Sequence, residues 1–142
     1  MRSALLLVLF ALLPSLCFAR SEKLTGEDVA EIHAVINRQI EAFSRDDARG
    51  AFALVSPEVQ QVFRTPEKYL DVVRTAYRAV YRPSRIEFLD LLLLGEDVVQ
   101  QLQVIDHSGG VWVAYYAMQR QIDGSWRTNG CRLVHPVRTI PA

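Results

Sequence analysis

RIEFLDLLLL at 85–94, DVVQQLQVID at 97–106, VWVAYYAMQRQ at 111–121 and SWRTNGCRLVH at 125–135 are four runs in which apolar and polar residues tend to alternate. A period of two is the mark of a half-buried strand. Gly95-Glu96, Ser108-Gly109-Gly110 and Asp123-Gly124 separate the runs and carry the residues that hairpin turns require. Connections this short make each strand antiparallel to the next. The C-terminal half therefore reads as a four-stranded meander.

The residues before it read as helices. Thr25 offers a capping hydroxyl with Asp28 in the first turn, and Val29, Ile32, Ile36, Ile40 and Phe43 follow at steps of three and four, which puts them on one face. Arg45-Asp46-Asp47 breaks this helix near Ser44, and Asp46 or Asp47 can cap a short one through Ala51, Phe52 and Leu54. Ser56-Pro57-Glu58 and Thr65-Pro66-Glu67 repeat a single start signal: a capping hydroxyl, a proline where no amide is needed, and an acid favoured by the helix dipole. The second opens a helix bearing Tyr69, Leu70, Val73 and Tyr77, and Arg82-Pro83 ends the helical part. Helices followed by a meander predict an α+β fold with N-terminal helices packed on a curved four-stranded antiparallel sheet.

The chain has 142 residues, 16 basic and 16 acidic groups and a mean hydropathy of +0.09, enough for one domain. Residues 1–19 read as an export signal, with Arg2 as the positive start, an apolar run from Ala4 to Leu13, and Cys17-Phe18-Ala19 ahead of a cleavage site near Ala19. That run is shorter than the roughly 20 residues needed to span a bilayer. The expectation is a single domain over 20–142, periplasmic or secreted, with no stable membrane insertion. Loss of the signal removes Arg2, leaving 15 basic groups against 16 acidic and a net charge of −1, which argues against nucleic-acid binding. It also removes Cys17, so Cys131 becomes the sole thiol and no internal disulfide forms.

The string Ile40-Glu41-Ala42-Phe43 with Asp46-Asp47, Ala51-Phe52-Ala53-Leu54 and Ser56-Pro57 resembles the opening helices of the NTF2-like (cystatin-like) superfamily, a cone-shaped α+β fold. Asp123-Gly124-Ser125-Trp126-Arg127 is similar to its last hairpin. Val80-Tyr81-Arg82-Pro83 together with Asn129-Gly130-Cys131 resembles an exported bacterial family, domain of unknown function 4864. These strings mark a fold and bring no active site with them.

Two-residue turns at Ser108-Gly109 and Asp123-Gly124 would set Gln101 opposite Tyr116, Tyr116 opposite Cys131, Arg120 opposite Arg127, Asp97 opposite Arg120 and Trp112 opposite His135. The result is a polar row of Gln101, Tyr116 and Cys131, with Gln103 and Asn129 beside it, as candidate ligand-binding residues in the cone. Leu102, Val104, Val113, Tyr115, Trp126 and Val134 would share the opposite face. Two apolar faces suggest a homodimer through the sheet as a second partner alongside a small apolar ligand.

Catalysis has one alternative route, an isomerase, dehydratase or hydrolase using Asp90 or Cys131 with Tyr116 or Tyr69. Asp90 lies between Ile86-Phe88 and Leu92-Leu94 on an otherwise apolar strand face, where a charge must be paired, exposed or raised in pKa. His135, four residues along the strand from Cys131, is roughly 13 Å away and forms no dyad with it. His33, His107 and His135 fall on separate elements, so neither a metal site nor a cofactor is expected. Six basic residues between Arg64 and Arg85 against Glu67 and Asp71 read as a solvated helix face.

Overall fold

The computed structural model describes residues 23–136; the segment 1–19 expected to be an export signal, with Cys17, lies outside them. Five helices precede four strands: α1 Gly26–Ser44, α2 Ala48–Phe52, α3 Pro57–Phe63, α4 Pro66–Ala76, α5 Arg78–Tyr81, β1 Arg85–Leu94, β2 Asp97–Ile105, β3 Val111–Arg120 and β4 Trp126–Val134. The strands form one antiparallel sheet in chain order.

Each helix start identified in the sequence is a working cap. The Asp28 amide donates to Thr25 Oγ1 at 3.1 Å and the Thr25 amide to Asp28 Oδ2 at 2.8 Å, a reciprocal box. The Asp28 carboxylate also accepts from Arg120 and from Trp126 Nε1, so it fastens the start of α1 to the last hairpin. The Thr25 backbone bond leads the interactions that hold its carboxyl down at about 2. Asp47 accepts from the Gly50 amide, Ser56 from that of Val59 and Thr65 from that of Lys68. Two members of the basic stretch are tied down as well, with Asp46 bonding Tyr81 and Arg82 and pairing with Arg74.

Ile32, Val35, Ile36 and Ile40 of α1 pack on Leu102, Val104, Ala114, Tyr116, Met118 and Trp126 to make the main core. A second core, of Ala42, Phe43, Ala51, Val55, Tyr69, Leu70 and Val73, joins the helices to one another. Strand residues alternate in direction, so Val99, Gln101, Gln103, Val113, Tyr115 and Ala117 face away from the main core.

Two of the expected registers are corrected. In the β2–β3 hairpin the Asp106 amide donates to the Gly110 carbonyl and the Gly109 amide to the Asp106 carbonyl; in the β3–β4 hairpin Gln121 pairs with Ser125 and Gly124 in the same way. Both are three-residue loops, a tight turn closed by a left-handed glycine, with Gly109 at φ +81° and Gly124 at φ +85°. One extra loop residue slides each register by one. Gln100, not Gln101, therefore faces Tyr116, and Arg120 faces Trp126 instead of Arg127. Tyr116 still faces Cys131, because an irregularity in β4 at Asn129-Gly130, with Gly130 at φ +127°, restores the expected pairing beyond it. Trp112 and His135 meet as expected, their ring centres 3.3 Å apart.

Strand β1 carries its own bulge, in which Leu89 and Asp90 share one partner position between the Phe88–Leu102 and Leu91–Gln100 pairs. Gln100, wholly buried, braces it: Nε2 donates to the Gln101 carbonyl at 2.8 Å and to that of Leu89 at 3.1 Å and approaches that of Asp90 at 3.4 Å, and Oε1 lies 3.1 Å from His33 Nε2. At the opposite edge the chain before α3 runs alongside β4. Thr128 donates its amide to the Leu54 carbonyl at 2.9 Å, the Ser56 amide donates to the Thr128 carbonyl at 2.8 Å, and Ser56 Oγ donates to Asn129 Oδ1 at 2.6 Å.

Candidate functional site

Where the two cores meet, the side chains leave a cavity of about 110 Å³. Its walls are Phe43 from α1, Val55, Val59 and Phe63 around α3, Tyr69, Val72 and Val73 from α4, and Val80 from α5. The sheet contributes Tyr116 from β3 and Thr128, Gly130 and Cys131 from β4. Val59, Val72 and Tyr77 are half-buried and Gly130 is exposed, which marks the mouth on their side. Among the described residues no carboxylate, histidine, lysine or arginine lines it.

Polar groups are few and differ in how well they are satisfied. Gln39, on the apolar face of α1 and 1% exposed, donates through Nε2 to Thr128 Oγ1 at 2.9 Å and to the Tyr69 hydroxyl at 3.1 Å, and approaches the Ala51 carbonyl at 3.4 Å. That network braces α1, α2, α4 and β4 around the cavity. Tyr116, 1% exposed, is different: its hydroxyl meets only the Cys131 thiol, a weak partner set outside good hydrogen-bond geometry. Burial, reinforced by the neighbouring Cys131 thiol, pushes its pKa well above the ordinary phenol range, so it remains a protonated donor. Burial likewise pushes the Cys131 thiol up to about 12, which leaves it an un-ionised S–H and a poor nucleophile.

The candidate residues read from the sequence separate accordingly. Tyr116 and Cys131 stand side by side on the cavity, as their cross-strand pairing predicts. Gln101 and Gln103 do not reach it, because the three-residue β2–β3 loop turns them to the other sheet face. Asn129 is exposed and is occupied in accepting from Ser56. Asp90 is exposed too: the β1 bulge rotates it away from the Ile86–Phe88 face. The acid–base route through Asp90 therefore lacks its shared cavity. His33 stacks on Phe88 at 3.9 Å, and among the described residues no three histidine, cysteine or carboxylate side chains cluster as a metal site. Gln39 is the participant the sequence reading missed; its signal was a lone amide in the apolar stripe of α1.

Helices laid over one face of a curved four-stranded antiparallel sheet make an α+β fold of the cystatin-like kind. A crystal structure of a protein of unknown function with a cystatin-like fold from Nostoc punctiforme PCC 73102 is similar, at TM-score 0.56 and 13% identity over 82% of this chain and 97% of that one. A structure from Catenulispora acidiphila is matched at TM-score 0.47 and 16% identity, over 79% and 94% of the two chains. The model of the family described as a domain of unknown function (DUF4864) matches residues 25–140, and the chain belongs to that family. None of the curated proteins matches it.

Proposed function

We propose that this protein is an exported, non-catalytic binding domain that holds a small, mostly apolar molecule in the cavity between α3, α4 and the sheet. The observation that carries this reading is the cavity itself, apolar-walled and open at one end where a domain core would ordinarily be filled. The absence of carboxylates and histidines from its described lining, and the un-ionised state of Cys131, favour binding over acid–base or thiolate chemistry. Calorimetric titration of protein beginning at Arg20 with neutral five- and six-membered ring compounds tests it. Binding that disappears in Val72→Trp, which blocks the mouth from a half-buried position, supports the reading; binding unchanged by that substitution places the ligand elsewhere and refutes it.

Export is supported by Arg2, the Ala4–Leu13 run and Cys17-Phe18-Ala19; among the described residues no helix is long and apolar enough to cross a membrane. Sequencing the N-terminus of the protein recovered outside the cytoplasm checks cleavage, with Arg20 the expected first residue. A second reading, self-association through the sheet, is favoured by the apolar side chains of Val99, Val113, Tyr115 and Ala117 on the face the helices leave uncovered. Sedimentation of wild type against Tyr115→Glu tests it; a wild-type monomer across the concentration range counts against it.

A further inference from the structure

We infer that the molecule held in the cavity is electrically neutral and carries a single hydrogen-bond acceptor, a carbonyl or ether oxygen on a compact ring, which accepts the proton of the Tyr116 hydroxyl. The inference rests on the reading of the cavity as a ligand site and adds the chemistry of what fills it.

Tyr116 is the one described side chain with a buried polar atom that the fold leaves unpaired. Buried hydroxyls almost always find partners, and those that do not cost stability with no structural return. The neighbours cannot repair the deficit. Thr128 and Tyr69 both accept from Gln39 Nε2, Thr128 turns its own proton toward the Leu54 carbonyl, and the Cys131 thiol, held protonated, is a weak acceptor. A water at the Tyr116 hydroxyl would have one strong partner and mostly apolar walls, whereas a bound water usually makes about three bonds. An acceptor oxygen on a hydrocarbon body needs only the one donor and gives the walls apolar contact. An alcohol suits the site less, since its own proton would then need an acceptor.

Charge is excluded by the same lining. A carboxylate or phosphate would be stripped of water with no cation to meet it, and an ammonium ion would find no carboxylate. Volume sets the size. An apolar protein cavity of about 150 Å³ admits benzene; at about 110 Å³, this one encloses the oxygen-bearing end of a five- or six-membered ring, with the rest of the ring in the mouth beside Gly130.

The test titrates the protein beginning at Arg20 with cyclohexanone, with methylenecyclohexane, in which CH₂ replaces the oxygen at nearly constant shape, and with cyclohexanecarboxylate. The expected result is that cyclohexanone binds about fivefold to tenfold more tightly than methylenecyclohexane, the scale of one hydrogen bond, and that the carboxylate does not bind. In Tyr116→Phe the preference reverses in favour of methylenecyclohexane, because the ketone oxygen is then buried without a donor, while methylenecyclohexane binds as before, and Cys131→Ala keeps the wild-type preference. Independently of any variant, the carbonyl infrared band of bound cyclohexanone moves to lower wavenumber. Equal affinity for the two rings, a preference that survives in Tyr116→Phe, or an unshifted carbonyl band overturns this inference and leaves the cavity reading standing. Binding of neither ring overturns both.

Discussion

Replacing Tyr116 with phenylalanine should make the unliganded protein more stable, the reverse of what the loss of a buried hydroxyl ordinarily does. The hydroxyl gives up its water when β3 packs against α1 and recovers only the weak Cys131 thiol in return. A buried donor left unpaired costs about 1–3 kcal/mol, whereas a paired one contributes about 0.5–1.5 kcal/mol. The ring stays in place in Tyr116→Phe, so the apolar contacts with α1 and the neighbouring strands persist. Losing contacts to one oxygen atom and to the Cys131 thiol offsets part of the gain. A net stabilisation of about 1 kcal/mol is expected. With a urea slope of 1–3 kcal/mol per molar, the midpoint rises by about 0.3–1 M, and the melting temperature by about 4 °C. Equilibrium urea unfolding of both proteins, followed by far-ultraviolet circular dichroism, reads the sign directly. A midpoint lower by a similar amount would mean that the hydroxyl is satisfied in the native state, and the argument for an acceptor-bearing ligand would go with it. If the sign is as expected, the tyrosine is kept at a cost to the fold, the pattern of a residue retained for binding.

Gln100→Leu should destabilise the protein by about 1–3 kcal/mol in the same assay, because it strips the Gln101 and Leu89 carbonyls and His33 of their buried amide partner; a change below about 0.5 kcal/mol would show that the bulge does not depend on it. Cys131 should resist alkylation by iodoacetamide at pH 8 in the native state by roughly a thousandfold relative to urea-unfolded protein, since a thiol at about 12 holds almost no thiolate there. Comparable rates in the two states would contradict the burial of its sulfur beside Tyr116. Asp28 is held near 2, below its ordinary 3.8, by the Thr25, Trp126 and Arg120 bonds, and Asp106 near 2 by the Trp112, Ser108 and Gly110 bonds. A folded-state pKa below the unfolded one gives stability that is complete above the unfolded value and is lost as pH falls toward the folded one. The urea midpoint should thus be level above about pH 5 and decline between about pH 4 and pH 2. Asp28→Asn should reduce that slope, and an unchanged slope would remove Asp28 from the account.

Local chemistry was easy to read from the chain because it is written in adjacent residues. The Thr25, Ser56 and Thr65 caps each need only a hydroxyl and the amide three positions on, and all three form. The strands end within about a residue of their expected limits for a similar reason: alternation and turn residues fix them nearly independently of what packs above. Which face a side chain presents is a parity, and parity is lost to a single uncounted residue. A turn assigned two residues instead of three carried Gln101 and Gln103 to the wrong side, and the unforeseen bulge in β1 did the same for Asp90. The Tyr116–Cys131 pair survived only because the irregularity at Asn129-Gly130 cancelled the loop error. Gln39 was passed over because periodicity weighs the apolar members of a stripe, while its importance comes from Thr128, 89 residues further along the chain.

Ser56 is held from two sides, capping α3 through the Val59 amide while its hydroxyl and amide bond β4 through Asn129 and Thr128. The start of α3 is therefore complete only once the last strand has docked, more than seventy residues after Ser56 has been synthesised. The Gln39 network of the helical half likewise closes on Thr128, and the sheet's final strand has no finished edge without the Leu54–Ser56 segment. Heating or denaturant should dissolve both halves in one transition, with tryptophan fluorescence from β3 and β4 and helical circular dichroism changing together, and a chain shortened ahead of Trp126 should not hold its helices.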